Sequence, residues 1–161
     1  MKPFFALLAT ALALPALAAT PPSTTRLSPA SGSQVRGSVQ FSDTAEGLRV
    51  TGEITGLSPG AHGFHVHERG DCSAPDASSA GGHYNPDNHP HGDADPSRHH
   101  AGDLGNIEAD ADGRAKVDAI VPGLTTARLK GRGLVVHDQP DDLKTQPSGA
   151  SGDRIACGVV R

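Results

Sequence analysis

Residues 34–55, QVRGSVQFSDTAEGLRVTGEIT, alternate with a period of two on either side of a polar turn. Val35, Gly37, Val39 and Phe41 fall on one face against Gln34, Arg36, Ser38 and Gln40. After the turn at 43–47, Leu48, Val50, Gly52 and Ile54 oppose Arg49, Thr51, Glu53 and Thr55. Side chains two residues apart leave the same face of a strand, so this stretch is a hairpin with one face for a core and one for water.

Downstream, residues 61–67, 103–109, 115–120, 133–137 and 154–160 read as further strands, with a turn at 110–113. Upstream, residues 19–33 are rich in Pro, Ser and Thr and read mostly as a flexible leader into a short strand at 25–27. No window carries the period of an amphipathic helix, and 20 glycines with 13 prolines fit many turns. Eight short strands imply an all-β fold, an eight-stranded antiparallel sandwich or barrel. Its core rests on Val, Leu and Ile, because only Phe41, Phe64 and Tyr84 are aromatic beyond the N-terminal segment.

That segment has Lys2 ahead of an apolar run at 4–19 that ends in Ala16, Leu17 and Ala18. A membrane span needs about 20 residues and no stop-transfer pattern follows, so residues 1–18 read as a cleaved secretory signal and 19–161 as the mature domain. The expected location is periplasmic or extracellular, with no membrane association after cleavage. The formal charge is −4, and one unit lower without Lys2. An acidic chain with no basic run gives no support to a nucleic-acid partner. Cys72 and Cys157 are the only cysteines. In an oxidising compartment an even pair implies one disulfide, the other reading being two buried free thiols. Closing a loop of that size contributes about 4 kcal/mol in the loop-entropy account.

Two long loops, 68–102 and 138–153, break the strand pattern, and long loops in a small domain are usually functional or held by something besides backbone pairing. GAHGFHVH at 60–67 puts His65 and His67 on one face of a strand and Phe64 and Val66 on the other. One such pair is more often an exposed strand than a metal site. The first loop, however, adds His83, His89, His91, His99 and His100 and runs into Asp103, while His137 ends another strand. Metal binding supplies order where core contacts are missing. A dinuclear site accounts best for His65, His67, His83, His91, His100 and His137. His89 and His99 read as solvated loop residues, His62 as a structural histidine bonded to backbone, and Gly60 and Gly63 as sites of tight backbone turns.

The motifs GAHGFHVH (60–67), GGHYNP (81–86), HHAGDLGN (99–106), LVVHDQPDDL (134–143) and DRIACGVV (153–160) occur in an order that resembles secreted Cu/Zn superoxide dismutases. The resemblance implies a Greek-key sandwich or barrel with two long functional loops. It implies copper on His65, His67, His83 and His137, and zinc on His83, His91, His100 and Asp103, with His83 shared. Four imidazoles suit Cu(II), and three with a carboxylate suit closed tetrahedral zinc. It also implies that Asp141 accepts hydrogen bonds from the outer nitrogens of His65 and His91, and that Arg154 and His83 are the catalytic residues, with Arg154 beside the open copper position. The alternative for Arg154 is a surface ion pair with Asp153. The implied reaction is antioxidant: superoxide is dismuted to oxygen and hydrogen peroxide.

The chain departs from the family pattern in the second loop. Residues 143–153 are shorter than in many relatives, and Pro147 stands where an anion-steering lysine often precedes the entrance residue, here Ser148, which leaves Lys144 as a nearby substitute. A non-catalytic copper/zinc-binding module is the competing function, opposed by Arg154 and the complete copper set. A two-zinc hydrolase would need an H-x-H-x-D-H string, and Glu68 and Arg69 follow His67 instead. Relatives are often homodimers, although no stretch of this sequence marks an interface.

Overall fold

The hairpin forms where the alternation places it. In the computed structural model, which describes residues 22–93 and 98–161, β2 (Arg36–Thr44) pairs antiparallel with β3 (Gly47–Thr55), from Arg36 opposite Thr55 to Thr44 opposite Gly47. Val39, Phe41, Leu48, Val50 and Ile54 turn inward and are buried. Each such side chain contributes about 1.5–3 kcal/mol on leaving water. The proposed signal segment, 1–18, lies outside the described residues.

Among the described residues, six more strands complete the sheet: β1 (Ser23–Pro29), β4 (Gly60–His67), β5 (Asp103–Ala109), β6 (Arg114–Val121), β7 (Gly133–His137) and β8 (Arg154–Val159). They close an antiparallel barrel in the order β1, β2, β3, β6, β5, β4, β7, β8. β1 is longer than the sequence implied. It pairs with β2 along one edge and, through Ser28 and Pro29, with Cys157 and Ala156 of β8 along the other. Closure gives this polar, proline-containing segment long-range partners that its composition does not reveal. A four-residue helix, α1 (Thr126–Leu129), was also not expected, being too short to show a period. Asp43 accepts from the Thr126 amide at 2.8 Å, and Leu129 is buried in the core.

The barrel wall is uneven. β5 and β6 share a single registered pair, Ala109 with Ala115, whereas β3 and β6 pair along their whole length. Val50, Phe64, Ile107 and Val117 line a cavity of about 160 Å3 at this seam.

Two register shifts position the site. Between β4 and β5, Gly63 faces Asn106 but His65 faces Asp103, so β5 carries one extra residue, with Gly105 at φ +79°. Between β7 and β8, Val136 faces Ala156 but His137 faces Arg154. A bulge bends its strand and re-aims the side chains beyond it. Here the two bulges bring Asp103 opposite His65 and Arg154 opposite His137.

Both long loops are pinned near this end of β4. A bridge joins His67 to His83, and Tyr84 N donates to Val66 O at 2.8 Å. Cys72 is disulfide-bonded to Cys157, with Cα atoms 5.8 Å apart, which ties the first loop to β8. In the second loop Gly63 N donates to Gln139 O at 2.9 Å. Gly60 adopts φ +113°, as a turn requires. Gly63 instead lies within β4, where a Cβ would come within 2.9 Å of Ser151, so close packing is what excludes a side chain there.

Candidate metal centre

β4 is buried on both faces. Phe64 and Val66 enter the core, and His65 and His67 point outward beneath the two loops. There His65, His67, His83 and His137 bring one potential ligand atom each to within 4.8 Å of the others. His83, His91, His100 and Asp103 form a second such group, and all seven residues are buried.

The outer hydrogen bonds fix which ring nitrogen faces inward. His67 Nδ1 donates to Gly81 O at 2.9 Å and His137 Nδ1 to Gly152 O at 3.3 Å, while His65 Nε2 donates to Asp141 Oδ2 at 2.7 Å. A neutral imidazole has one N–H, so the opposite nitrogens are lone pairs. His67 Nε2 and His137 Nε2 face each other at 3.4 Å, and His65 Nδ1 and His83 Nε2 are buried with no hydrogen-bond partner. Four converging acceptors with no donor among them are costly in a buried site unless a cation satisfies them.

The second group carries charge. His91 Nε2 donates to Asp141 Oδ1 at 2.9 Å, and His83 Nδ1 donates to Asp103 Oδ1 at 2.7 Å. His91 Nδ1 and His100 Nδ1 lie 3.0 and 3.2 Å from Asp103 oxygens without hydrogen-bond alignment. Three imidazoles and one carboxylate aimed at a common point fit a closed tetrahedral zinc, as the four-imidazole group fits copper.

Proton affinities separate the groups. Burial pushes His67 down to about 2 and His137 down to about 3, so both rings stay neutral. Burial opposes charge on His91 as well, but Asp103 and Asp141 outweigh it and raise His91 to about 9. Asp103 is held well below the usual carboxylate range, because the bond from His83 and the close approach of the His91 ring override the penalty of burial.

Asp141 joins the groups by accepting from His65 with one oxygen and from His91 with the other. Its own backbone is clamped by Asn106, whose side chain donates to Asp141 O at 2.9 Å and accepts from Asp141 N at 2.7 Å. Gly149 lies against this bond, where a Cβ would fall 1.8 Å from Asp141 Oδ1.

A sequence profile of copper/zinc superoxide dismutases matches residues 35–160. The chain belongs to the copper/zinc superoxide dismutase family. It is 43% identical over 143 residues to a Cu-Zn superoxide dismutase of Onchocerca volvulus, covering 80% of this chain and 90% of that one. It is 42% identical over 138 residues to an extracellular Cu-Zn superoxide dismutase of Brugia pahangi, covering 78% and 69%. A double mutant of a SOD-like protein from Bacillus subtilis superposes with a TM-score of 0.77 at 39% identity, covering 85% of this chain and 95% of that one. Curated enzymes of the superoxide dismutase family thus match it over most of its length.

On this superoxide dismutase barrel, a cavity of about 420 Å3 opens beside the centre, lined by His67, His83 and His137 of the first group, His100 of the second, and Arg154 and Glu68 among others. Arg154 does not pair with Asp153. Its Nη1 donates to Ala77 O at 2.8 Å and its Nη2 to Gly81 O at 2.7 Å, the same carbonyl that holds His67. Arg154 is the cation in that lining among the described residues, and Lys144 is not part of it. Lys144 sits in a turn in which Asp142 accepts from its backbone amide at 3.0 Å. His62 donates from Nδ1 to His137 O at 2.8 Å, with its Nε2 2.9 Å from Ser58 O, as a structural histidine bonded to backbone does, and stands outside both groups. His89 and His99 are half-buried and also stand outside them.

Sequence reasoning missed both bulges, the carbonyl shared by Arg154 and His67, and Glu68 in the cavity wall. A glycine inside the strand pattern DLGN was the one local signal, since isolated glycines in strands often mark bulges.

Proposed function

We propose that this chain dismutes superoxide: two superoxide anions and two protons become one oxygen and one hydrogen peroxide. In this reading His65, His67, His83 and His137 hold copper, and His83, His91, His100 and Asp103 hold zinc. Bound copper would supply the one-electron redox chemistry, and zinc would fix the geometry and charge of the shared ring. The observation that carries the reading is the set of four buried imidazoles with acceptor nitrogens converging beside a cavity that Arg154 lines.

The chain's own residues do the rest. Arg154 has two of its five N–H donors committed to Ala77 and Gly81, which fixes the guanidinium and leaves donors for a small anion. His83 turns Nδ1 toward Asp103 and the zinc-side group, which leaves its Nε2 facing the four-imidazole group, placed to hold one of the two protons the products need. Asp141 keeps His65 and His91 in the tautomers that point a lone pair inward. The Cys72–Cys157 bond and the extracellular relative support export, with residues 1–18 as the signal and the mature chain in the periplasm or outside the cell.

A metal reservoir on the same fold is the second reading, and Arg154 distinguishes the two because storage needs no anion-attracting group. Superoxide decay is followed with copper- and zinc-loaded protein and with an Arg154→Ile variant. The expected loss is about tenfold or more, the value of a charge-assisted hydrogen bond. Equal and negligible rates in both proteins would leave the reservoir standing.

A further inference from the structure

The second loop reaches the zinc-side group through an unexpected residue. The side chain of Gln146 lies along the backbone of His91: its Oε1 accepts from His91 N at 2.8 Å and its Nε2 donates to His91 O at 2.7 Å. One amide thus satisfies both backbone groups of a single residue, as a neighbouring strand would. Its Nε2 also donates to Lys144 O at 3.1 Å, so the same side chain closes its own turn. Downstream, Gly149 N donates to Thr145 O at 2.7 Å, and Gly149 presses on the bond from His91 to Asp141. His91 is therefore gripped by its backbone through Gln146 and by its ring through Asp141, both from the second loop.

We propose that Gln146 is a positioning residue for zinc retention, holding His91 in place from the second loop by a two-point amide clamp. The inference rests on the metal reading above. It follows from reach. Among the described residues, the loop that carries His91 has no strand between Tyr84 and Asp103, so the backbone groups of His91 need partners from elsewhere. Asp141 orients the ring but does not fix the main chain behind it, and Gln146 supplies that restraint. Gln146 touches neither substrate nor metal ligand atoms.

The test uses full-length zinc-loaded protein and measures zinc release to a colorimetric chelator. It also records the visible spectrum of Co(II) substituted in the zinc-side group, which reports ligand geometry. Gln146→Ala should release zinc about three- to tenfold faster, as expected for two partly exposed hydrogen bonds, with a perturbed Co(II) spectrum. Gln146→Glu keeps the acceptor for His91 N but sets a carboxylate oxygen against the carbonyls of His91 and Lys144, and should release zinc at least as fast as Gln146→Ala. Wild-type release and an unchanged spectrum in Gln146→Ala would overturn the clamp, as would a lowered melting temperature of the metal-free variant with zinc release unaltered. Should the unmutated chain take up neither zinc nor Co(II), the metal reading itself falls, a result distinct from indifference at residue 146.

Discussion

The two groups of ligand-type residues share His83 and are otherwise built differently. On one side, four imidazoles converge with no carboxylate among them and open on a cavity. On the other, Asp103 stands in the set and Asp141 behind it, and the loops close over both. The first group is kept neutral by burial, which pushes His67 and His137 far below the ordinary histidine range. The second contains an ionised carboxylate, with Asp103 held well below the usual carboxylate range by the His83 bond. The same residue type therefore offers a carboxylate-free ligand set on one side and a carboxylate-bearing one on the other. A cation that must change oxidation state and meet an anion suits the first, and one that must only hold its place suits the second.

The severest way to break this comparison is to remove the shared ring. His83→Gln takes a donor from both groups, and since loss of an outer partner alone costs 10–100-fold in metal affinity, loss of the shared ligand should exceed about 100-fold in dismutation rate, with both metals depleted on elemental analysis. Full retention of one metal would show that His83 serves a single group. Asp141→Asn tests the link instead. An amide cannot accept from both rings at once, so both metals should dissociate about 10–100-fold more readily during dialysis against a chelator. A loss confined to one group would assign the carboxylate to that group alone. The smallest effect concerns the open side only. Glu68 places a carboxylate in the wall of the cavity that Arg154 lines. Glu68→Gln should raise kcat/KM for superoxide about two- to fivefold, with the gain vanishing at high salt. A gain that persists in salt would point to shape rather than charge.

Much of this was legible in sequence because it is local. The alternation at 34–55 gave the hairpin directly, and the spacing of His65 and His67 placed both rings on the outer face of β4 while Phe64 and Val66 entered the core. His62 was separable from them by the same alternation. What escaped depends on contacts between distant segments. β1 extends to Pro29 because β8 closes the barrel against it. Arg154 is aimed by the carbonyls of Ala77 and Gly81, some 75 residues away in sequence, and no neighbour of Arg154 announces them. Gln146 looked like any polar loop residue, since its partner, the His91 backbone, belongs to the other loop.

The single pair of residues joining β5 to β6 divides the wall into two unequal partners. Both histidine groups, Asp141 and Arg154 stand on β4, β5, β7, β8 and the two loops, and none of them on β1, β2, β3 or β6. Outside, that silent half is dressed with exposed ion pairs such as Arg49 with Asp118 and Glu53 with Arg114, which solvent screens. Charge on that exterior can be redrawn by substitution without touching a residue of either histidine group.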